Sequence, residues 1–204
     1  MPSRNIEKQY VEDSFYHVYN RGVNKRRIFI DDKDYAVFLN LLKRYLSFTP
    51  VKDLKGRTYE SFYDKVELVS FCLMPNHFHM LLYLREPPAI TQLMRSVISS
   101  YTVYFNRRHQ RVGHLFQDRF KAVRIDNDSY LTHITRYIHL NPVSYKTWDY
   151  TSLPYYLNEK SASWVRPERI LELFDDTKDY SDFVDDYIAN KEMVDEIKNE
   201  LANY

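Results

Sequence analysis

The sequence predicts an α+β protein: a ferredoxin-like antiparallel sheet with helices packed on one face, followed by a helical, acidic C-terminal appendage. Three observations predict it. Short apolar runs of strand character alternate with stretches at helical spacing in the order β-α-β-β-α-β-α. There are only three glycines, so regular elements must fill most of the 204 residues. Charge and texture then change near Tyr150, where a basic body gives way to an acidic tail. An antiparallel sheet with its helices laid against it is the simplest way to bury such runs.

The elements follow in chain order. Phe15-Tyr16-His17-Val18-Tyr19 is an aromatic and β-branched run closed by Asn20-Arg21-Gly22, a strand and turn. Asp32 or Asp34 is placed to cap a helix through about Leu46, along which Phe38, Leu41, Leu42 and Tyr45 recur on one face. Residues 50–63 form a polar connection. Val66 to Leu73 and Phe78 to Leu84 flank Met74-Pro75-Asn76 and read as a hairpin, since Pro followed by Asn favours a turn. After Pro87-Pro88, residues 90–105 repeat apolar side chains at helical spacing, and a basic knot at 106–111 follows. His114 to Ile125 reads as the last strand. Asp126-Asn127-Asp128 offers N-cap chemistry for a helix through about Leu140, ended by Pro142. Beyond Trp148, a helix is expected over residues 167–174 and an acidic helical stretch over residues 180–201. These readings divide the chain into a body, 1–150, and an extension, 151–204.

Residues 1–150 hold 23 Lys and Arg against 15 Asp and Glu, whereas residues 151–204 hold 6 against 13. A basic body with an acidic tail points to nucleic acid, although a solvated surface has the same signature. A single cysteine, Cys72, rules out an intrachain disulfide and suits a reducing, cytoplasmic setting. No segment approaches the roughly 18 apolar residues that span a bilayer, so a membrane role is not expected.

Two segments carry chemistry. His77-Phe78-His79 puts two imidazoles at i and i+2 on a strand, where a period of two turns both to one face and Phe78 to the core. They are candidate ligands for one metal ion, but two ligands complete no site, and histidines packed in a core show the same spacing. In Arg136-Tyr137-Ile138-His139-Leu140-Asn141, Tyr137 and Asn141 are four residues apart, on one helical face. Asn141 is then within reach of an ion held by the histidines. A tyrosine, with its unperturbed pKa of about 10, needs a neighbouring cation or base to act as a nucleophile. With 19 tyrosines in the chain most must be packing residues, and Tyr130 lies on nearly the same face as Tyr137.

Four segments together resemble a known family. Phe15-Tyr16-His17-Val18 leading to Asn20-Arg21-Gly22, then Met74-Pro75-Asn76-His77-Phe78-His79, then 113–122 (GHLFQDRFKA), then Arg136-Tyr137-Ile138-His139-Leu140-Asn141-Pro142-Val143 are similar to the single-tyrosine transposases of the HUH endonuclease superfamily. Within it the resemblance is to the REP-associated tyrosine transposases, and it covers about 15–143. It implies a ferredoxin-like fold, His77 and His79 as metal ligands, Asn141 as a third, amide-type ligand, and Tyr137 as nucleophile. Mixed imidazole and amide ligation suits Zn²⁺ by ligand preference; the resemblance implies Mg²⁺ or Mn²⁺. It also implies cleavage and rejoining of single-stranded DNA at or near hairpins through a 5′-phosphotyrosine link.

On that reading a basic groove receives the DNA, with Arg21, Lys25, Arg26, Arg27, Arg107, Arg108, Arg119, Lys121 and Arg124 as candidate phosphate contacts. Two other readings stay open. One is a catalytically silent, hairpin-binding regulatory protein on the same fold, and the other a structural or RNA-binding module whose histidines and tyrosine are merely packed. Monomer and homodimer are both compatible with the sequence.

Overall fold

A computed structural model describes residues 9–186. Four strands, β1 (Ser14–Arg21), β2 (Val66–Met74), β3 (His77–Leu84) and β4 (Lys121–Ile125), form one antiparallel sheet in the order β2-β3-β1-β4. This is the ferredoxin-like arrangement. Helix α1 (Asp32–Tyr45) crosses from β1 to β2, α2 (Ala89–Arg108) from β3 to β4, and α3 (Asp128–His139) follows β4.

Helices α1 and α2 cover one face. Phe38, Leu41 and Leu42 of α1 and Ile90, Leu93, Met94 and Val97 of α2 share a core with Tyr16 and Val18 of β1 and Phe78, Met80 and Leu82 of β3. The N-cap of α1 is Asp31 rather than Asp32 or Asp34; its carboxylate accepts from the Lys33 and Asp34 amides. Asp34 is instead fully buried, taking the Ile30 amide, the Arg108 guanidinium and the Tyr104 hydroxyl.

Helix α3 departs from the expectation of helices on one face, because it packs on the opposite one. Its Leu131, Ile134, Tyr137 and Ile138 meet Val69, Cys72, Leu81 and Ile125. The physical reason lies in β2: eight of its nine residues are buried, so both of its faces need cover. A bulge between Leu68 and Ser70 adds Val69 to the α3 side. Asn127 caps α3 by accepting from the Ser129 and Tyr130 amides, worth about 1 kcal/mol. Twelve residues make a marginal helix alone, and burying each large apolar side chain contributes about 2 kcal/mol. Packing therefore holds α3 in place.

The last strand is shorter than the sequence suggests. Residues 114–120 form a loop whose Leu115, Phe116 and Phe120 are buried anchors. Its backbone ties to the turn after β1 through Val23 N to Leu115 O (3.0 Å) and Gln117 N to Arg21 O (2.9 Å).

The segment after Tyr150 runs along the free edge of β2. Leu73 N donates to Tyr150 O, Ser152 N to Phe71 O and Arg166 N to Leu68 O, at 2.8 to 2.9 Å. Trp164 and Val165 enter the first core, while Leu153, Tyr156, Ile170, Tyr180 and Val184 join α3 in the second. Short helices α4 (Leu153–Tyr156) and α5 (Glu168–Leu171) and the longer α6 (Thr177–Asp185) occur here. The rest of the acidic helix expected over 180–201 lies outside the described residues. No helix among the described residues is long and apolar enough to cross a membrane.

Candidate active site

The strand register assembles the site in rows across the α3 side of the sheet. Cys72, His79, Tyr19 and Lys121 are successive partners across β2, β3, β1 and β4. One row along, Met74, His77 and Arg21 align. Directly opposed residues project to the same side, so His77, His79, Arg21 and Lys121 share one face while Phe78 enters the α1 and α2 core. The two imidazoles lie with centroids 5.1 Å apart, nearly perpendicular.

The turn that begins β3 is stitched to the loop after β1. Gly22 N donates to Asn76 O (2.8 Å), and Ile28 N and Phe29 N both donate to Pro75 O. This close approach requires glycine, since a Cβ at Gly22 would lie 2.3 Å from Arg26 O.

Tyr137 comes from α3 above. Its hydroxyl lies 3.5 Å from His79 Nε2, the long limit of a hydrogen bond, and its ring meets His79 edge-on at 5.3 Å. It is 6 % exposed, yet it lines an open cavity of about 430 Å³ together with His77, His79, Tyr19, Arg21, Lys25 and Lys121. Burial pushes its phenol up to about 12, and a hydrogen bond from the Asn141 amide opposes that rise. Burial also pushes His77 and His79 below the ordinary imidazole range, so both rings are neutral with a lone pair to offer.

The hydrogen bonds around these groups run in one direction. Asn76 Nδ2 donates to Lys25 O (3.3 Å), which turns Asn76 Oδ1 to His77 Nδ1 at 2.7 Å. His77 Nδ1 therefore carries the proton and Nε2 the lone pair. That lone pair faces Asn141 Oδ1 at 3.0 Å. Two acceptors face each other, an arrangement that a cation between them would satisfy. Among the described residues no three His, Cys, Asp or Glu side chains gather for a metal. The donor set is two imidazole nitrogens and one amide oxygen, and it fits a divalent ion that keeps water on its other positions.

The candidate basic residues separate into groups. Arg21, Lys25, Arg119 and Lys121 line the cavity. Arg26 and Arg27 lie in the same loop as Lys25 but do not line it; Arg26 Nε is held by Val23 O (3.3 Å). Arg107 is exposed at the end of α2, away from the cavity lining. Arg108 is bound at 2.6 Å to both Asp31 and Asp34 and does not line the cavity. Arg124 opposes Tyr16, whose side chain lies in the α1 and α2 core, so it projects from the face opposite the cavity. Tyr130 half-buries in the α3 core and does not line the cavity.

Sequence reasoning missed His17, Tyr19, Asn76 and Gln117. His17 is fully buried, with Nε2 2.9 Å from His79 Nδ1. Gln117 Oε1 accepts from Arg21 Nε at 3.1 Å. The signal for His17 and Tyr19 was their own period of two on β1, the strand that this topology sets beside β3.

Helix α3 is clamped from outside by the C-terminal segment. His139, fully buried, bonds Tyr180 through Nδ1 and Ser152 through Nε2, both at 2.7 Å. Arg136 lies over the Phe183 ring at 4.3 Å and donates to Phe183 O at 3.1 Å.

Known proteins resemble the chain in sequence over part of its length and in fold. Residues 51–141 match the model of the family described as Transposase IS200 like. A REP-associated tyrosine transposase solved bound to a REP hairpin superposes with a TM-score of 0.57 at 14% identity, over 80% of this chain and 98% of that one. A chain from Deinococcus radiodurans R1 that carries a transposase label gives 0.41 at 14% identity, over 65% and 93%. None of the curated proteins matches the chain.

Proposed function

We propose that this chain, whose residues 51–141 match the model of the IS200-like transposases, is one of them and cuts and rejoins single-stranded DNA at or near hairpins, with Tyr137 as nucleophile. The single observation that carries this reading is the convergence of His77 and His79 from β3 and Tyr137 from α3 on one basic cavity, with Asn141 Oδ1 3.0 Å from His77 Nε2.

Arg21, Lys25, Arg119 and Lys121 neutralise the phosphates of the entering strand, and Tyr19 offers a ring for a base to stack on. The Tyr137 oxygen attacks the scissile phosphorus in line, giving up its hydroxyl proton to solvent and forming the Tyr137 O–P bond as the P–O3′ bond breaks. The products are a 5′-phosphotyrosine and a free 3′ hydroxyl, which takes its proton from solvent. Because the tyrosyl phosphodiester conserves the energy of the broken one, a 3′ hydroxyl attacking it rejoins strands without ATP.

His77 Nε2, His79 Nε2 and Asn141 Oδ1 would hold Mg²⁺ or Mn²⁺. When bound, such an ion supplies a positive charge beside the scissile phosphate that stabilises the charge developing in the transition state. Tyr137, neutral and buried, is a poor nucleophile without it.

The test is to incubate the protein with Mn²⁺ and hairpin-bearing single strands labelled 3′ of the candidate cleavage site, then look for a denaturation-resistant protein–DNA adduct. Tyr137→Phe should lose it and Tyr130→Phe should keep it. Hairpin binding by the parent chain with no adduct would favour the silent regulatory reading instead.

A further inference from the structure

We propose that His17 is a positioning residue for His79: its Nε2 accepts the proton on His79 Nδ1, so that His79 turns an unprotonated Nε2 to Tyr137 and the cavity. The inference rests on the reading of His79 as a ligand, and it assigns a task to a side chain that reading leaves unused.

Three features of the geometry carry it. The His17 and His79 rings are nearly coplanar, 15° apart with centroids at 5.0 Å. That is what two imidazoles require when they meet edge to edge through a nitrogen–nitrogen contact of 2.9 Å. The bond lies in both ring planes, where lone pair and N–H are directed. Next, His17 sits on β1 directly opposite Leu81, so it reaches His79 diagonally across the sheet, with its ring stacked on Tyr19 and edge-on to Tyr137. Finally, His17 Nδ1 is buried with no hydrogen-bond partner. A core histidine kept for packing alone loses free energy through that orphaned atom.

The direction of the proton follows from the neighbours. The Tyr137 hydroxyl lies 3.5 Å from His79 Nε2, where a nitrogen lone pair gives its O–H an acceptor. With its lone pair on Nε2, neutral His79 carries its proton on Nδ1, and His17 Nε2 is the atom that receives it. His17 thus does what a carboxylate or backbone carbonyl does behind most metal-binding histidines, without placing a negative charge beside a phosphate site.

The decisive measurement is the tautomer of His79 in the metal-free parent protein, read from the ¹⁵N shifts and long-range couplings of its imidazole. A proton on Nδ1 is expected; a proton on Nε2 overturns the proposal with no variant needed. Because this readout involves neither DNA nor metal, it stands apart from failure of the parent to form a DNA adduct, which would sink the nucleophile reading alone. The second arm titrates Mn²⁺ into parent, His17→Phe and His17→Gln, with circular dichroism to check folding. His17→Phe keeps a flat ring but removes the acceptor and should weaken Mn²⁺ binding about 10- to 100-fold; His17→Gln, whose amide oxygen restores an acceptor, should recover most of it. A folded His17→Phe that binds Mn²⁺ like the parent overturns the proposal, as does a His17→Gln no better than His17→Phe.

Discussion

Asn141 Oδ1 lies 3.0 Å from His77 Nε2, although Asn141 stands two residues beyond His139, the last residue of α3. The chain has turned at Leu140, whose amide still bonds the Arg136 carbonyl. The Asn141 side chain, carried at the end of the helix that bears Tyr137, thereby reaches the strand histidines. If its oxygen is a ligand, replacing the amide with a carboxylate adds charge to an otherwise neutral donor set. Asn141→Asp should bind Mn²⁺ about tenfold more tightly than the parent, and Asn141→Ala more weakly, by isothermal titration. Equal affinities in all three would remove Asn141 from the ligand set.

The sorting of basic residues predicts a salt signature. Each phosphate contact on single-stranded DNA contributes about 0.7 to the slope of log affinity against log salt. Arg21→Ala and Lys121→Ala should each lower that slope by about this amount. Arg124→Ala, on the opposite face of β4, should leave it unchanged.

The clamp on α3 predicts a stability cost far from the cavity. Tyr180→Phe leaves His139 Nδ1 buried without its 2.7 Å partner. An unsatisfied buried group costs about 1 to 3 kcal/mol, which urea denaturation would resolve. A midpoint like the parent's would show that the clamp contributes nothing.

Acid should weaken the fold in a defined window. Burial holds His17 and His139 at about 3, against an ordinary value of 6.5. Above pH 6.5 folded and unfolded chains both carry neutral rings, so neither histidine costs stability. As pH falls from 6.5 towards 3 the unfolded chain takes up protons that the folded chain refuses, and stability drops by about 1 kcal/mol per pH unit for each ring. Urea midpoints between pH 7 and 5 should fall accordingly, and His139→Gln should show a shallower dependence.

The site histidines were legible because a strand has only two faces: the spacing of His77 and His79 fixed their common side whatever the neighbours. Tyr137 followed similarly from its helix. The side of the sheet that α3 covers was not read, because it depends on β2 being buried on both faces, and an unbroken apolar run does not announce how many layers enclose it. Arg108 and Arg124 escaped for another reason. A charge seen in sequence shows neither its distant partner, here Asp31 and Asp34, nor the strand register that turns it from the cavity. His17 needed both strand order and register, which emerge only when the sheet is assembled.

The ribbon of chain from Tyr150 to Arg166 bears on solubility. It occupies the outer rim of β2, a nine-residue and almost wholly buried strand whose amides and carbonyls would otherwise stand open to any passing extended peptide. The opposite rim, β4, is short and carries Lys121 and Arg124, which discourages such pairing unaided. A version of the protein shortened at Tyr150 would therefore gain a sticky margin along with the loss of its acidic charge, and it should accumulate as insoluble aggregate when expressed.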